Sequence, residues 1–154
     1  MKHGPKQKFL TGSIFLYIIL IIFSDQLTKF LIYKNLTPAQ SIPIIKSIFH
    51  ITLVFNKGGA FGIFASIAHV FILISVAVIV FILIFLALKK SVYNIRVALA
   101  CIMAGAISNL IDRIRFGYVV DFLDFRVWPV FNIADSVITV ATLWLLWKTI
   151  IKDN

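Results

Sequence analysis

The sequence contains no glutamate; its six acidic residues are Asp25, Asp112, Asp121, Asp124, Asp135 and Asp153. Charged residues of both signs make up only 14% of the 154 positions, too few to coat a chain of this size with a solvated surface. Hydrophobic residues reach 61%, against about 45–50% in soluble domains. That excess needs a non-aqueous surrounding, and lipid provides one. A single cysteine, Cys101, excludes an internal disulfide; inside an apolar run it reads as a small buried apolar residue. The three histidines, His3, His50 and His69, are scattered, with no H-E-x-x-H and no cysteine pair, so no metal site and no other cofactor is expected. No serine or cysteine has a base beside it, which leaves nucleophilic catalysis without support. There is no internal repeat and no low-complexity tract.

What is present is charge at the edges of long apolar runs. A net charge of +9 in a soluble protein raises nucleic acid as a partner. Here the cations flank hydrophobic segments as membrane-edge anchors do, so no nucleic acid partner is expected. A spanning helix takes about 20 apolar residues. The runs predict four of them, at about 9–29, 66–88, 92–111 and 131–151, in one integral membrane domain covering 1–154, with connections at 34–65 and 112–130. The first run resembles a signal peptide but is followed by no small-x-small site, so it is expected to be retained. The second is uncharged and stops at Lys89-Lys90. The third is rich in Ala98, Ala100, Ala104, Gly105, Ala106 and Ser108, small residues that let helices approach closely in lipid.

In the first connection Phe49, Ile51, Leu53 and Phe55 alternate with mostly more polar neighbours, a period-2 strand pattern broken at Lys57-Gly58-Gly59. The expected fold class is therefore an all-α membrane protein: four transmembrane helices with a small extracytoplasmic β element in the loop between helices 1 and 2. Lys2, Lys6, Lys8, Lys89 and Lys90 place both termini in the cytoplasm. Trp144 and Trp147 fit the inner aromatic belt and Trp128 the outer one. Five of the six aspartates then gather at the other face.

Wet loops are ordinary places for aspartate, and that reading suffices for Asp124 or Asp153 alone. It suits Asp25 and Asp135 less well, because an ionised aspartate inside an apolar segment costs about 2.5–3.5 kcal/mol at mid-helix and less near the ends. Asp25 and Lys29 are spaced i,i+4 with the acid first, the favourable order for a helical ion pair. Asp135 lies three residues after Asn132, as in a capping box, where the helix dipole also favours its charged form. A carboxylate beside a second carboxyl is what an aspartic dyad needs, since two such groups in contact share one proton. Asp112, Asp121 and Asp124 are partners by position, and spacing does not choose among them.

Five short motifs in order choose further. Asp25-Gln26-Leu27-Thr28-Lys29, Asn56-Lys57-Gly58-Gly59-Ala60-Phe61, Asn109-Leu110-Ile111-Asp112-Arg113, Val119-Val120-Asp121-Phe122-Leu123-Asp124 and Phe131-Asn132-Ile133-Ala134-Asp135 resemble those of the lipoprotein signal peptidases, the type II signal peptidases of bacterial inner membranes. The resemblance runs nearly end to end. It implies an aspartic endopeptidase with Asp121 and Asp135 as the dyad. Asn56, Gly59 and Arg113 would contact substrate, Asn109 and Asn132 would buttress the site, and Asp25, Lys29, Asp112 and Asp124 would support it. It also implies diacylglyceryl-prolipoprotein substrates cut just before the lipidated cysteine, a multi-pass monomer in the inner membrane, contact with membrane lipid, an active site on the extracytoplasmic side, inhibition by globomycin-type compounds and no metal. Phe55 stands where many members carry Arg, Ser108 where Gly is usual, and the stretch 126–130 is short; these departures bear on substrate contacts and the nearby loop.

Two other readings compete. A proton-coupled carrier places its acids near mid-membrane within repeated halves, whereas here they gather at one face without a repeat. A scaffold has no use for Asp121 and Asp135 together. Since the sequence offers no ligand set, chelators are expected to leave peptide cleavage unchanged; cleavage lost to a chelator and restored by zinc would contradict this.

Overall fold

The structure is a computed structural model describing residues 5–58, 68–88 and 92–152, with side chains described for 12–58, 69–88 and 92–151. Gly59, Lys89, Lys90 and the terminal lysines at 2, 6 and 8 therefore lie outside what it describes in full. In chain order the elements are α1 (Pro5–Asn35), β1 (Ser41–Ile45), β2 (Phe49–Asn56), α2 (Ala68–Leu88), α3 (Tyr93–Phe116), β3 (Val119–Asp124) and α4 (Ile133–Lys152). All four helices are long and apolar enough to cross a membrane. The three strands form one antiparallel sheet in the order β1-β2-β3, at the end of the bundle where α1 and α3 finish and α4 begins.

The bundle is apolar outside and encloses a polar cluster. Phe15, Phe23, Leu73, Phe81, Val140 and Leu143 are among its exposed large side chains, whereas Asp25, Lys29, Ser108, Asn109, Asp112 and Asn132 are buried. Such an arrangement suits a chain whose surrounding is lipid. The third helix is the axis on which α1, α2 and α4 pack. Its small residues explain why: a Cβ built at Gly105 would stand 2.7 Å from the carbonyl oxygen of Ala134 and 2.7 Å from Ile138 Cγ1, so only glycine admits α4 at this distance.

The boundaries differ from expectation in three places, each for a physical reason. The first helix continues past Lys29 to Asn35 because Lys29 is not a membrane-edge cation: it is 3% exposed and neutralised within the bundle. The last turn is closed by Asn35, whose Nδ2 donates to the Leu31 carbonyl at 2.7 Å. The third helix runs on through Arg113 and Arg115 to Phe116, where basic side chains suit the helix C-terminus. It stops at Gly117, whose φ of 76° is the left-handed cap and whose N–H donates to the Arg113 carbonyl at 3.0 Å. The segment 112–130, expected as a connection, contains β3. That strand pairs with β2 through Asn56↔Val119, Phe55↔Val120 and Val54↔Asp121. Because β3 is buried almost throughout, it lacks the apolar–polar alternation that betrayed β2. The β element thus joins both connections, not only the first. Its inner face packs Leu53 and Val120 against Leu36 and Ile32 at the end of α1.

One buried cation ties these pieces together. The Lys29 ammonium donates to Asp25 Oδ2 at 2.7 Å, to Asp112 Oδ2 at 2.9 Å and to Asn109 Oδ1 at 2.9 Å, which uses all three of its hydrogens. Asp25 also accepts from the Ser108 hydroxyl at 2.7 Å and from the Ala134 N–H at 2.8 Å, in the first turn of α4. Asp112 also accepts from Gln26 Nε2 at 2.8 Å and from the Val120 N–H at 3.2 Å. One cluster therefore holds α1, α3, β3 and α4. Removing one partner of a buried ion pair leaves the others charged and unpaired, at a cost of about 3–5 kcal/mol. Lys29→Met is accordingly expected to lower stability by about that amount, read as a loss of thermal or denaturant midpoint in detergent; an unchanged midpoint would mean that the cluster does not hold the bundle.

Candidate active site

Asn132 shapes the start of α4. Its Oδ1 accepts the Asp135 N–H at 2.9 Å, the N-cap bond expected for this spacing. The reciprocal half of a capping box is not the bond Asp135 makes. Its carboxylate instead accepts from Asn109 Nδ2 on α3 at 2.7 Å. Asp121 arrives from β3. Its Oδ1 accepts from Asn132 Nδ2 at 2.7 Å and its Oδ2 from Asn56 Nδ2 at 2.9 Å. The Asn56 side chain is steadied in turn by the Gly58 N–H, which donates to its Oδ1 at 3.1 Å. Asn109 completes the set: its Oδ1 accepts from both Lys29 and Asn132, the latter at 3.1 Å. Two asparagine amides, Asn109 and Asn132, thus connect the buried ammonium to Asp135 and Asp121, and Asn56 holds Asp121 from the other side; in all three the oxygen meets a donor and the nitrogen a carboxyl.

A cleft of about 720 Å³ opens beside this set, lined by Asn56, Asn109, Arg113 and Asp135 and on the far wall by Phe125 and Trp128. Asp135 fronts the cleft, while Asp121 is 1% exposed and sits behind Asn56. Burial and the negative charge of Asp135 push Asp121 up to about 7, against the hydrogen bonds of Asn56 and Asn132 and the charge of Lys29. The two carboxyls feel each other's charge, so their titration belongs to the pair. Arg113 lies over the Phe71 ring of α2, its guanidinium carbon 5.4 Å from the centroid, and its buried Nε has no hydrogen-bond partner among the described residues.

The structure sorts the other expected site residues. Asp25, Lys29 and Asp112 form the cluster behind the asparagines and do not line the cleft. Asp124 lies apart, bonded to Thr52 and Arg126. Gly59 falls outside the described residues. Of the departures, Ser108 donates to Asp25, and the Phe55 ring packs 5.9 Å from Tyr33 and 4.5 Å from Tyr118. Gln26 and Phe71 escaped the reading of the sequence. Gln26 left a signal, an amide in an apolar run next to an aspartate; Phe71, one aromatic residue among fifteen phenylalanines, left none. Among the described residues no cluster of three or more metal-ligating side chains occurs.

Comparison with known proteins agrees with this architecture. The family described as Signal peptidase (SPase) II matches residues 17–151. A lipoprotein signal peptidase of Halothermothrix orenii is 44% identical over 138 residues, covering 88% of this chain and 95% of that protein. One of Caldanaerobacter subterraneus subsp. tengcongensis is 47% identical over 141 residues, covering 89% and 95%. A bacterial membrane enzyme solved by the in meso method superposes with a TM-score of 0.82 at 32% identity, covering 93% of this chain and 95% of that one. Identity spread over nearly the whole of both chains, on the same four-helix frame, leaves one assignment: this is a multi-pass inner-membrane protein belonging to the signal peptidase II family.

Proposed function

We propose that the chain is an aspartic endopeptidase that removes the signal peptide from diacylglyceryl-modified prolipoproteins, cutting just before the lipidated cysteine, with Asp121 and Asp135 activating water. The observation that carries this reading is the amide path between the two carboxyls: Asp135 is bonded to Asn109, Asn109 to Asn132 and Asn132 to Asp121, with Asp135 fronting the cleft. A lipid-anchored substrate presents its scissile bond level with helix ends, and the first turn of α4 is at that depth.

In this mechanism the ionised carboxyl takes a proton from water as the water oxygen bonds to the scissile carbonyl carbon. The protonated carboxyl donates to the carbonyl oxygen. Collapse of the tetrahedral intermediate breaks the C–N bond, and the leaving nitrogen of the lipid-bearing cysteine takes up a proton from the dyad. On this reading Asp121, pushed up to about 7 by burial and the charge of Asp135, is the donor, and Asp135, which fronts the cleft, is the base. Asn109 and Asn132 fix both carboxyls. Arg113, which lines the cleft and whose buried Nε has no partner among the described residues, and Asn56 hold the substrate backbone, and Gly59 allows its close approach. The cation distribution supports cytoplasmic termini and an extracytoplasmic site. Compounds of the globomycin type would inhibit by occupying the dyad.

Purified Asp121→Asn and Asp135→Asn are each expected to lose about 10³-fold or more in cleavage of a diacylglyceryl precursor while still inserting and folding; normal turnover by either variant contradicts the dyad. The rate is expected to fall as pH rises through about 7, because Asp121 then loses the proton it donates. A profile flat from about pH 6 to about pH 8, one unit either side of that transition and measured with saturating substrate, rules out Asp121 as that donor.

A further inference from the structure

Part of the wall of the cleft is a turn, and it is held from the sheet. Residues 125–130 leave β3 and return to it at Phe131, whose carbonyl accepts from the Leu123 N–H at 2.7 Å and whose N–H donates to the Leu123 carbonyl at 3.1 Å. Phe125, Trp128, Pro129 and Val130 of this turn line the cleft. Its path is set at the start by Asp124. The Asp124 Oδ1 accepts the Arg126 N–H at 2.8 Å, with Arg126 at the left-handed φ of 65° that a non-glycine residue rarely adopts. Its Oδ2 accepts from Arg126 Nη1 at 3.0 Å and from the Thr52 hydroxyl at 2.7 Å.

The Thr52 bond continues across all three strands. Thr52 has one hydroxyl hydrogen and gives it to Asp124. It must then accept from the Ser41 hydroxyl, 2.8 Å away on β1. With its own hydrogen spent, Ser41 accepts from His50 Nδ1 at 2.9 Å. Every hydroxyl in the row His50–Ser41–Thr52–Asp124 is thereby oriented toward the carboxylate, and the tautomer of His50 is fixed. Thr52 is 8% exposed and Asp124 5% exposed, so water does not substitute freely for a lost bond.

We infer that Thr52, backed by Ser41 and His50, is a positioning residue for the cleft: it anchors Asp124, and through it the Phe125–Val130 wall, so that it governs how tightly substrate is held and not the chemical step. This rests on reading the cleft as the substrate site. The test uses the full chain in detergent with a diacylglyceryl precursor peptide. Thr52→Val keeps the shape and removes the hydroxyl, and is expected to raise KM about tenfold with kcat within about twofold, from loss of one hydrogen bond to a charged group. Thr52→Ser restores the wild-type KM. Ser41→Ala, which leaves Thr52 its bond to Asp124, gives a smaller rise. A second readout needs no cleavage: with Trp144→Phe and Trp147→Phe, Trp128 is the sole tryptophan, and Thr52→Val is expected to shift its emission and acrylamide quenching while Thr52→Ser does not. Unchanged KM and unchanged Trp128 fluorescence in Thr52→Val overturn the inference, as does a fall in kcat at constant KM or failure of serine to rescue. If the parent does not cleave the peptide, the functional reading fails, and the Trp128 measurement still decides whether Thr52 holds the wall.

Discussion

An ammonium group buried between lipid-facing helices survives only if every one of its hydrogens meets an acceptor, and Lys29 meets three. The consequences run outward from it. Its carboxylate partners, Asp25 and Asp112, need further donors, and they take them from Ser108, Gln26, the strand N–H of Val120 and the helix N-terminus at Ala134. Each added bond fixes another element. The cluster is costly to form and has little tolerance for change, which makes it a device for holding one geometry as much as a source of stability.

That rigidity is delivered to the cleft through Asn109. One face of its amide is bound by the ammonium and the other reaches Asp135. Asn132 does the same for Asp121 while capping the helix that carries Asp135. A site in which two carboxyls must share a proton needs both held closely, since a small displacement weakens their coupling and lets each titrate alone. Support comes from neutral amides, and among the described residues no salt bridge joins either carboxyl to a cation. An arginine or lysine directly against the pair would instead favour ionising both. At Asp121 burial and the charge of Asp135 outweigh the amide bonds and Lys29, and push the carboxyl up to about 7.

Much of the fold is legible in the residues, and the exceptions share a cause. Long, mostly apolar runs mark the spans, and alternation from Phe49 to Phe55 marks β2. Lys29 misplaced the end of α1 because its charge looks like a membrane edge until its partners, some eighty residues away, are known. The strand Val119–Asp124 escaped notice because burial on both faces erases alternation. The site is harder to read. Local spacing finds the cap from Asn132 to Asp135 and the pair Asp25–Lys29. It cannot say that Asp112 turns to Lys29, that Asp124 turns to Thr52, and that Asp121 is the acid which feels Asp135. Ordered motifs resolved that choice through resemblance, because pairing between distant segments leaves no periodic trace.

The proposed chemistry depends on one proton held between two carboxyls at neutral pH. Infrared titration of the purified protein observes it directly, as the carbonyl stretch of a protonated carboxyl. The expected band persists at pH 6, disappears through about 7, and is absent in Asp121→Asn; in Asp135→Asn its midpoint falls, because the neighbouring charge is gone. A spectrum with no carboxyl titrating near 7, or a titration indifferent to both substitutions, contradicts it.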